Sequence, residues 1–182
     1  MKRTLSIIQA GSIAVLVAIS LFCVNATATA QGLVKPSKYK FSYTADPSPT
    51  TVTRADGTQF DITIKTTWQI SGVKTFDSKK NIWILNEQVV EQDDFEGPEM
   101  TLSSYPYNYT YRAEYTNNNG KLGTLISAQA LGRLCLVPLP DGNVFRSSGM
   151  INYATGVQFC PDHGACMNEE LFFDFLQYGD IP

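Results

Sequence analysis

Phe60-Asp61-Ile62-Thr63-Ile64-Lys65-Thr66-Thr67-Trp68-Gln69-Ile70 alternates apolar and polar residues along its whole length. Phe60, Ile62, Ile64, Trp68 and Ile70 share one parity; Asp61, Thr63, Lys65, Thr67 and Gln69 share the other. Thr66 is the one polar member of the apolar set. A period of two puts the two sets on opposite faces of an extended strand. One dry face and one wet face mark an antiparallel sheet. The expected fold class is therefore mainly β: a single antiparallel β-sandwich or barrel domain with a short C-terminal helix, preceded by a signal peptide.

The stretch just before this strand sets a hairpin register. Asp56-Gly57 is a turn signal. A two-residue loop would place Thr53 opposite Phe60 and leave Val52 on the polar face. A three-residue loop, Ala55-Asp56-Gly57, places Val52 opposite Phe60 and Thr50 opposite Ile62. Burying Val52 is worth roughly 1.5 kcal/mol or more. The three-residue loop is expected, with Gly57 in the left-handed conformation as a bulge. Further back, Tyr39, Phe41 and Tyr43 alternate with polar residues as a first strand, and Asp46-Pro47-Ser48-Pro49 breaks it.

Residues 1–30 read as a secretory signal. Lys2 and Arg3 precede an apolar run from Ile7 to Val24, and Ala28-Thr29-Ala30 is a small-x-small cleavage pattern before Gln31. Residues 31–38 read as a flexible lead-in and 39–182 as a single β-rich domain. The chain carries 14 basic and 17 acidic residues, a net charge of −3, and loss of Lys2 and Arg3 takes it to −5. With no Lys/Arg cluster to follow a phosphate backbone, nucleic acid is excluded as a partner. No second long apolar run follows, so no membrane span is expected after signal cleavage. The localisation implied is secreted or extracellular, periplasmic in a bacterium.

Beyond Ile70, Ser71-Gly72 is expected to end the central strand, with Val73–Phe76 and Ile82–Leu85 beginning others. A helix capped by Ser78 and carrying Ile82, Leu85 and Val89 competes for the same residues. Glu91 to Glu99 reads as a loop dense in carboxylates, of a kind that suits calcium or a two-carboxylate glycosidase, though it lacks an EF-hand frame. Tyr105, Tyr107, Tyr109 and Tyr111 alternate in a strand running on to Tyr115, with Pro106 confining it to an edge or a strand start. Thr116 to Gly120 reads as a turn. Leu122–Leu131 and Leu134–Val137 are apolar segments split by Gly132-Arg133. Pro138 to Gly142 turns the chain towards short strands at Val144-Phe145, Met150–Tyr153 and Val157–Phe159. Asn168 is a suitable N-cap for a helix with Leu171, Phe172, Phe175 and Leu176 on one stripe; Met167 and Phe172 are placed for a hydrophobic staple, and Gly179 stops the helix.

Removing the signal leaves Cys135, Cys160 and Cys166. Export favours oxidation, and Cys160–Cys166 is the expected disulfide. The leftover cysteine is then buried, reactive or paired with another chain, the last of which would give a dimer. Cys160, His163 and Cys166 also match zinc-ligand chemistry but lack an obvious fourth ligand, so no metal and no cofactor is expected. His163 is the sole histidine, and no Gly-x-Ser-x-Gly frame surrounds Ser147-Ser148, so catalytic residues are not assigned. The candidate binding residues are aromatic: Tyr105, Tyr107, Tyr109, Tyr111, Trp68 and Trp83 offer stiff amphipathic area for stacking on sugars or gripping a partner. Asn108-Tyr109-Thr110 is an N-glycosylation acceptor pattern, facing opposite to the tyrosines. The function expected is a non-catalytic exported module that binds carbohydrate or a protein surface. The other classes are a small-ligand barrel or small enzyme with a pocket lined by Trp68, Trp83 and tyrosines, and a structural matrix or envelope component.

Overall fold

A computed structural model describes residues 35–153 and 160–181. The signal-peptide reading and the strand expected at Val157–Phe159 fall outside those residues. Among the described residues, nine strands form one antiparallel sheet: β1 (Ser37–Thr44), β2 (Ser48–Thr53), β3 (Gln59–Asp77), β4 (Ile82–Glu96), β5 (Thr101–Ser103), β6 (Tyr107–Asn118), β7 (Lys121–Pro138), β8 (Val144–Asn152) and β9 (His163–Met167). The order across the sheet is β1-β3-β4-β6-β7-β8-β9, with β2 also on β3 and β5 on β4. The mainly β antiparallel class is as expected, and these strands belong to one sheet rather than to two facing ones. Among the described residues a single α-helix, α1 (Glu169–Tyr178), follows.

The hairpin register is the one that buries Val52. Val52 pairs with Phe60 and Thr50 with Ile62. The Arg54 N–H donates to Thr58 O at 2.9 Å across the three-residue loop, and Gly57 has φ 90°. Val52 is fully buried, which is the free-energy difference that selects this register.

Several expected breaks are absent. β1 begins at Ser37, inside the stretch read as a lead-in. β3 continues through Ser71-Gly72 to Asp77, because Gly72 keeps its ladder partners Tyr39 and Glu87 on either side. The helix capped by Ser78 does not form; Asp77 instead accepts the Lys79 and Lys80 N–H groups at 3.0 and 3.2 Å, and β4 starts at Ile82. β6 continues through the first two asparagines, and Asn119-Gly120 alone turns the chain with φ 50° and 82°. Two positive φ angles make the hairpin turn that matches strand twist. β7 is one strand across Gly132-Arg133, with a register shift between Arg133 and Cys135.

One face of the sheet carries the core, and α1 closes part of it. Phe172 stacks on Phe145 (4.5 Å, 13°) and meets Phe95 edge-on at 5.2 Å, while Phe173 meets Phe60 edge-on at 6.0 Å. Arg54 clamps the helix from the β2–β3 turn, donating to Asp174 at 2.5 Å and to Gln177 at 3.0 Å. Gly179 stops the helix as expected, with φ 74° and its N–H on Phe175 O at 3.0 Å. Asn168 does not cap through its side chain, which donates instead to Val144 O at 2.8 Å. Met167 is exposed, with its Sδ beside the Arg146 guanidinium rather than in a staple.

Candidate functional site: a buried carboxylate and tyrosine cluster

Residues 91–96 of the stretch read as an acidic loop form the end of β4, and only Gly97-Pro98-Glu99 lie beyond the strand. Leu85, Glu87, Val89, Glu91, Asp93 and Phe95 share one parity, and all turn inward with the core. Asp94 and Glu96 take the opposite parity. A loop was expected because carboxylates are costly to bury without partners. Here the neighbouring strands supply the partners. Asp93 pairs in register with Thr66, Glu91 with Trp68 on one side and Tyr107 on the other, and Glu87 with Gly72 and Tyr111.

Glu91 is half-buried, and three groups donate to it. Trp68 Nε1 lies 2.7 Å from Oε2, Tyr107 Oη 2.8 Å from Oε1, and the Tyr109 hydroxyl also contacts Oε2. Asp93 is buried; Thr66 Oγ1 donates to its Oδ1 at 2.6 Å, and Tyr107 Oη contacts its Oδ2. Ser104 fixes the Asp93 backbone from both sides: its Oγ accepts the Asp93 N–H and its own N–H donates to Asp93 O, each at 2.8 Å. Thr66, the odd residue of the apolar stripe, is therefore part of the site.

Tyr107 touches both carboxyl groups, yet a phenol has one proton. It can donate to one carboxylate only; the other contact needs a proton on the carboxyl itself. Burial, then the adjacent Glu91 charge, holds the Asp93 carboxyl well above the usual range. Burial also raises Glu91, against the pull of Tyr109, Tyr107 and Trp68. Asp93 is raised the more of the two, so a proton shared by the pair goes first to Asp93, with Tyr107 bridging both carboxyls. Burial above all, followed by the adjacent acid pair, pushes the Tyr107 hydroxyl well up, and the Cys135 thiol likewise. A buried thiol raised in this way is the opposite of an activated nucleophile.

Glu87 lies two inward positions from Glu91. It is 1% exposed; Tyr39 Oη donates to its Oε1 at 2.5 Å, and Oε2 has no hydrogen-bond partner among the described residues. On the rim, Tyr39, Phe41 and Tyr43 of the edge strand β1 are half-buried. Tyr39 stacks on Phe41 at 6.1 Å, and Tyr43 lies parallel to Trp68 at 5.8 Å.

Tyr107, Tyr109 and Tyr111 are buried on the inner face, whereas Tyr105 precedes β6 and is 55% exposed. Tyr107 and Tyr109 donate to the carboxylates, the Tyr111 ring lies 6.2 Å from that of Tyr153, and none of the three is available to stack on an external surface. Trp68 joins them. Trp83 does not: it sits eight positions along β4 from the residue facing Trp68, roughly 26 Å in an extended strand, and donates to Asn117 Oδ1 at 3.2 Å. Asn108 is exposed on the outer face, as its parity predicts. The Sγ atoms of Cys160 and Cys166 lie at disulfide distance, and Cys135 is buried, so a bridge to a second copy through Cys135 would need β7 opened. Glu169, not His163, completes the acidic and thiol group around that pair. Asp162 accepts the Asn152 N–H at 2.9 Å.

Sequence reasoning missed Glu87 and placed Glu91 and Asp93 in a solvated acidic loop, although all three share the parity of Leu85, Val89 and Phe95 and face a stripe interrupted by Thr66. Among the described residues, no helix is long and apolar enough to cross a membrane. Comparison finds no family model, no curated protein and no solved structure that matches the chain.

Proposed function

We propose that the protein is an exported, non-catalytic binding module that takes a small hydroxyl-rich ligand, of the carbohydrate class, on the inner face of its sheet. The observation that carries this reading is Glu91: a half-buried carboxylate with three donors already in place, beside the parallel Tyr43–Trp68 pair. A carboxylate accepts about four hydrogen bonds, and a ligand hydroxyl would compete with the neighbouring Asp93 carboxyl for the fourth. Polyol recognition uses this pairing of a fixed acceptor with a flat aromatic face. Export is supported by the N-terminal pattern and by the Cys160–Cys166 pair at disulfide distance.

Titration calorimetry against a panel of mono- and oligosaccharides tests the reading. A saturable heat with at least one member, lost in Tyr43→Ala and weakened at least tenfold in Glu91→Gln while circular dichroism is unchanged, is expected. No heat with any member, or the same affinity in both variants, would reduce the cluster to a polar piece of core.

A further inference from the structure

We infer that Asn108 carries an N-linked glycan whose innermost sugars cover two exposed apolar side chains, Val90 and Leu131, on the outer face of the sheet. Asn108 lies directly opposite Val90 on β4, and Thr110, the third residue of the acceptor triplet, lies directly opposite Leu131 on β7. Opposed residues of an antiparallel pair point to the same face with Cβ atoms about 5 Å apart, and diagonal neighbours lie about 7–8 Å apart. Val90 is 41% exposed and Leu131 58% exposed, so two uncovered apolar side chains flank the triplet, while Gln88 donates to Thr110 Oγ1 at 3.1 Å beside them. The inward neighbours Tyr107 and Tyr109 anchor β6 in the core, which holds Asn108 outward. A sugar here meets no part of the carboxylate cluster. Its apolar ring faces would lie where Val90 and Leu131 now meet water.

The acceptor chemistry is simple. The Asn108 amide nitrogen bonds to the anomeric carbon of a lipid-pyrophosphate-linked oligosaccharide; the carbon–phosphate bond breaks, the lipid pyrophosphate leaves with the electron pair, and the nitrogen releases one proton. Because β6 is flanked by β4 and β7, the transfer belongs to the translocating chain before those strands pair. The proposal rests on the export in the preceding reading but not on the ligand.

The test is to secrete the full chain from a eukaryotic cell and weigh the product in medium and cells. A mass excess that maps to the peptide containing Asn108, disappears in Asn108→Gln, and becomes Asp at position 108 after enzymatic release is expected. Peptide mapping separates it from Asn25-Ala26-Thr27, the acceptor triplet in the presumed leader. Unmodified Asn108 in secreted protein would overturn the site and leave export standing; an unmodified chain retained in the cell would overturn both. Enzymatic release from folded protein is then expected to increase hydrophobic-dye binding at least twofold, and the Val90→Thr, Leu131→Thr double variant to abolish that increase. Dye binding unchanged on release would overturn the covering role.

Discussion

Tyr39 reaches over a neighbouring strand to Glu87. Its hydroxyl donates to Glu87 Oε1 at 2.5 Å although β3 runs between them, and the residue it passes is Gly72, in register with both. A Cβ at Gly72 would lie 2.8 Å from Tyr39 Cζ, Tyr39 Oη and Glu87 Cγ. The contact therefore exists because position 72 has no side chain, and it ties the edge strand β1 to the buried carboxyl.

Gly72→Ala is expected to cost about 1–3 kcal/mol through overpacking and loss of that hydrogen bond. Tyr39→Phe is expected to cost about 1–3 kcal/mol, because Glu87 Oε2 already lacks a partner and the whole carboxyl would then be unpaired. Urea unfolding midpoints check both. A Gly72→Ala protein as stable as the parent would mean that β1 simply shifts to make room.

Stability should fall as pH rises, by way of Asp93 and Glu91. Both carboxyls are raised in the folded chain, by burial above all, so the folded state binds more protons than the unfolded chain between the ordinary carboxyl range and the raised values. Their contribution is complete below the ordinary range and is lost as pH climbs through the raised values. Asp93→Asn keeps a donor for the Tyr107 oxygen without the ionisation. Its urea midpoint is expected to vary less than the parent's between roughly pH 5 and 8, and parallel profiles would refute the proton assignment.

Cys135 is expected to resist alkylation in the folded protein. Burial above all, with the Asp93–Glu91 acid pair beside it, pushes its thiol well up, leaving little thiolate at pH 8. Mass spectrometry after iodoacetamide treatment should show no adduct on Cys135 in native buffer and one in denaturant. Rapid native labelling would show that β7 opens readily.

Phe172→Ala is expected to destabilise by about 3–5 kcal/mol, since the ring is fully buried between Phe145 and Phe95. Arg54→Ala, at the edge of the same helix, should cost only about 1 kcal/mol, because Glu170 is half exposed and the Asp174 pair is partly solvated. Denaturation of the two variants side by side would separate apolar docking of α1 from its ionic clamp.

Local chemistry settled much of this fold. The parity of Phe60 to Ile70, the three-residue loop at Ala55-Asp56-Gly57, the C-terminal stripe ending at Gly179 and the six-residue spacing of Cys160 and Cys166 each depend on residues close in sequence. Periodicity, turn chemistry and loop length act at that range. The carboxylate cluster depends on something else. Whether Glu91 and Asp93 lie in water or in the core turns on donors 16, 18 and 23 residues away from Glu91 and 27 residues away from Asp93, and Glu87 on one 48 residues away. Buried charge is tolerated only where such partners converge. By itself the sequence determined a one-faced antiparallel strand pattern with a closing helix; the pairing of β4 between β3 and β6, which no local rule encodes, decided that its acids turn inward.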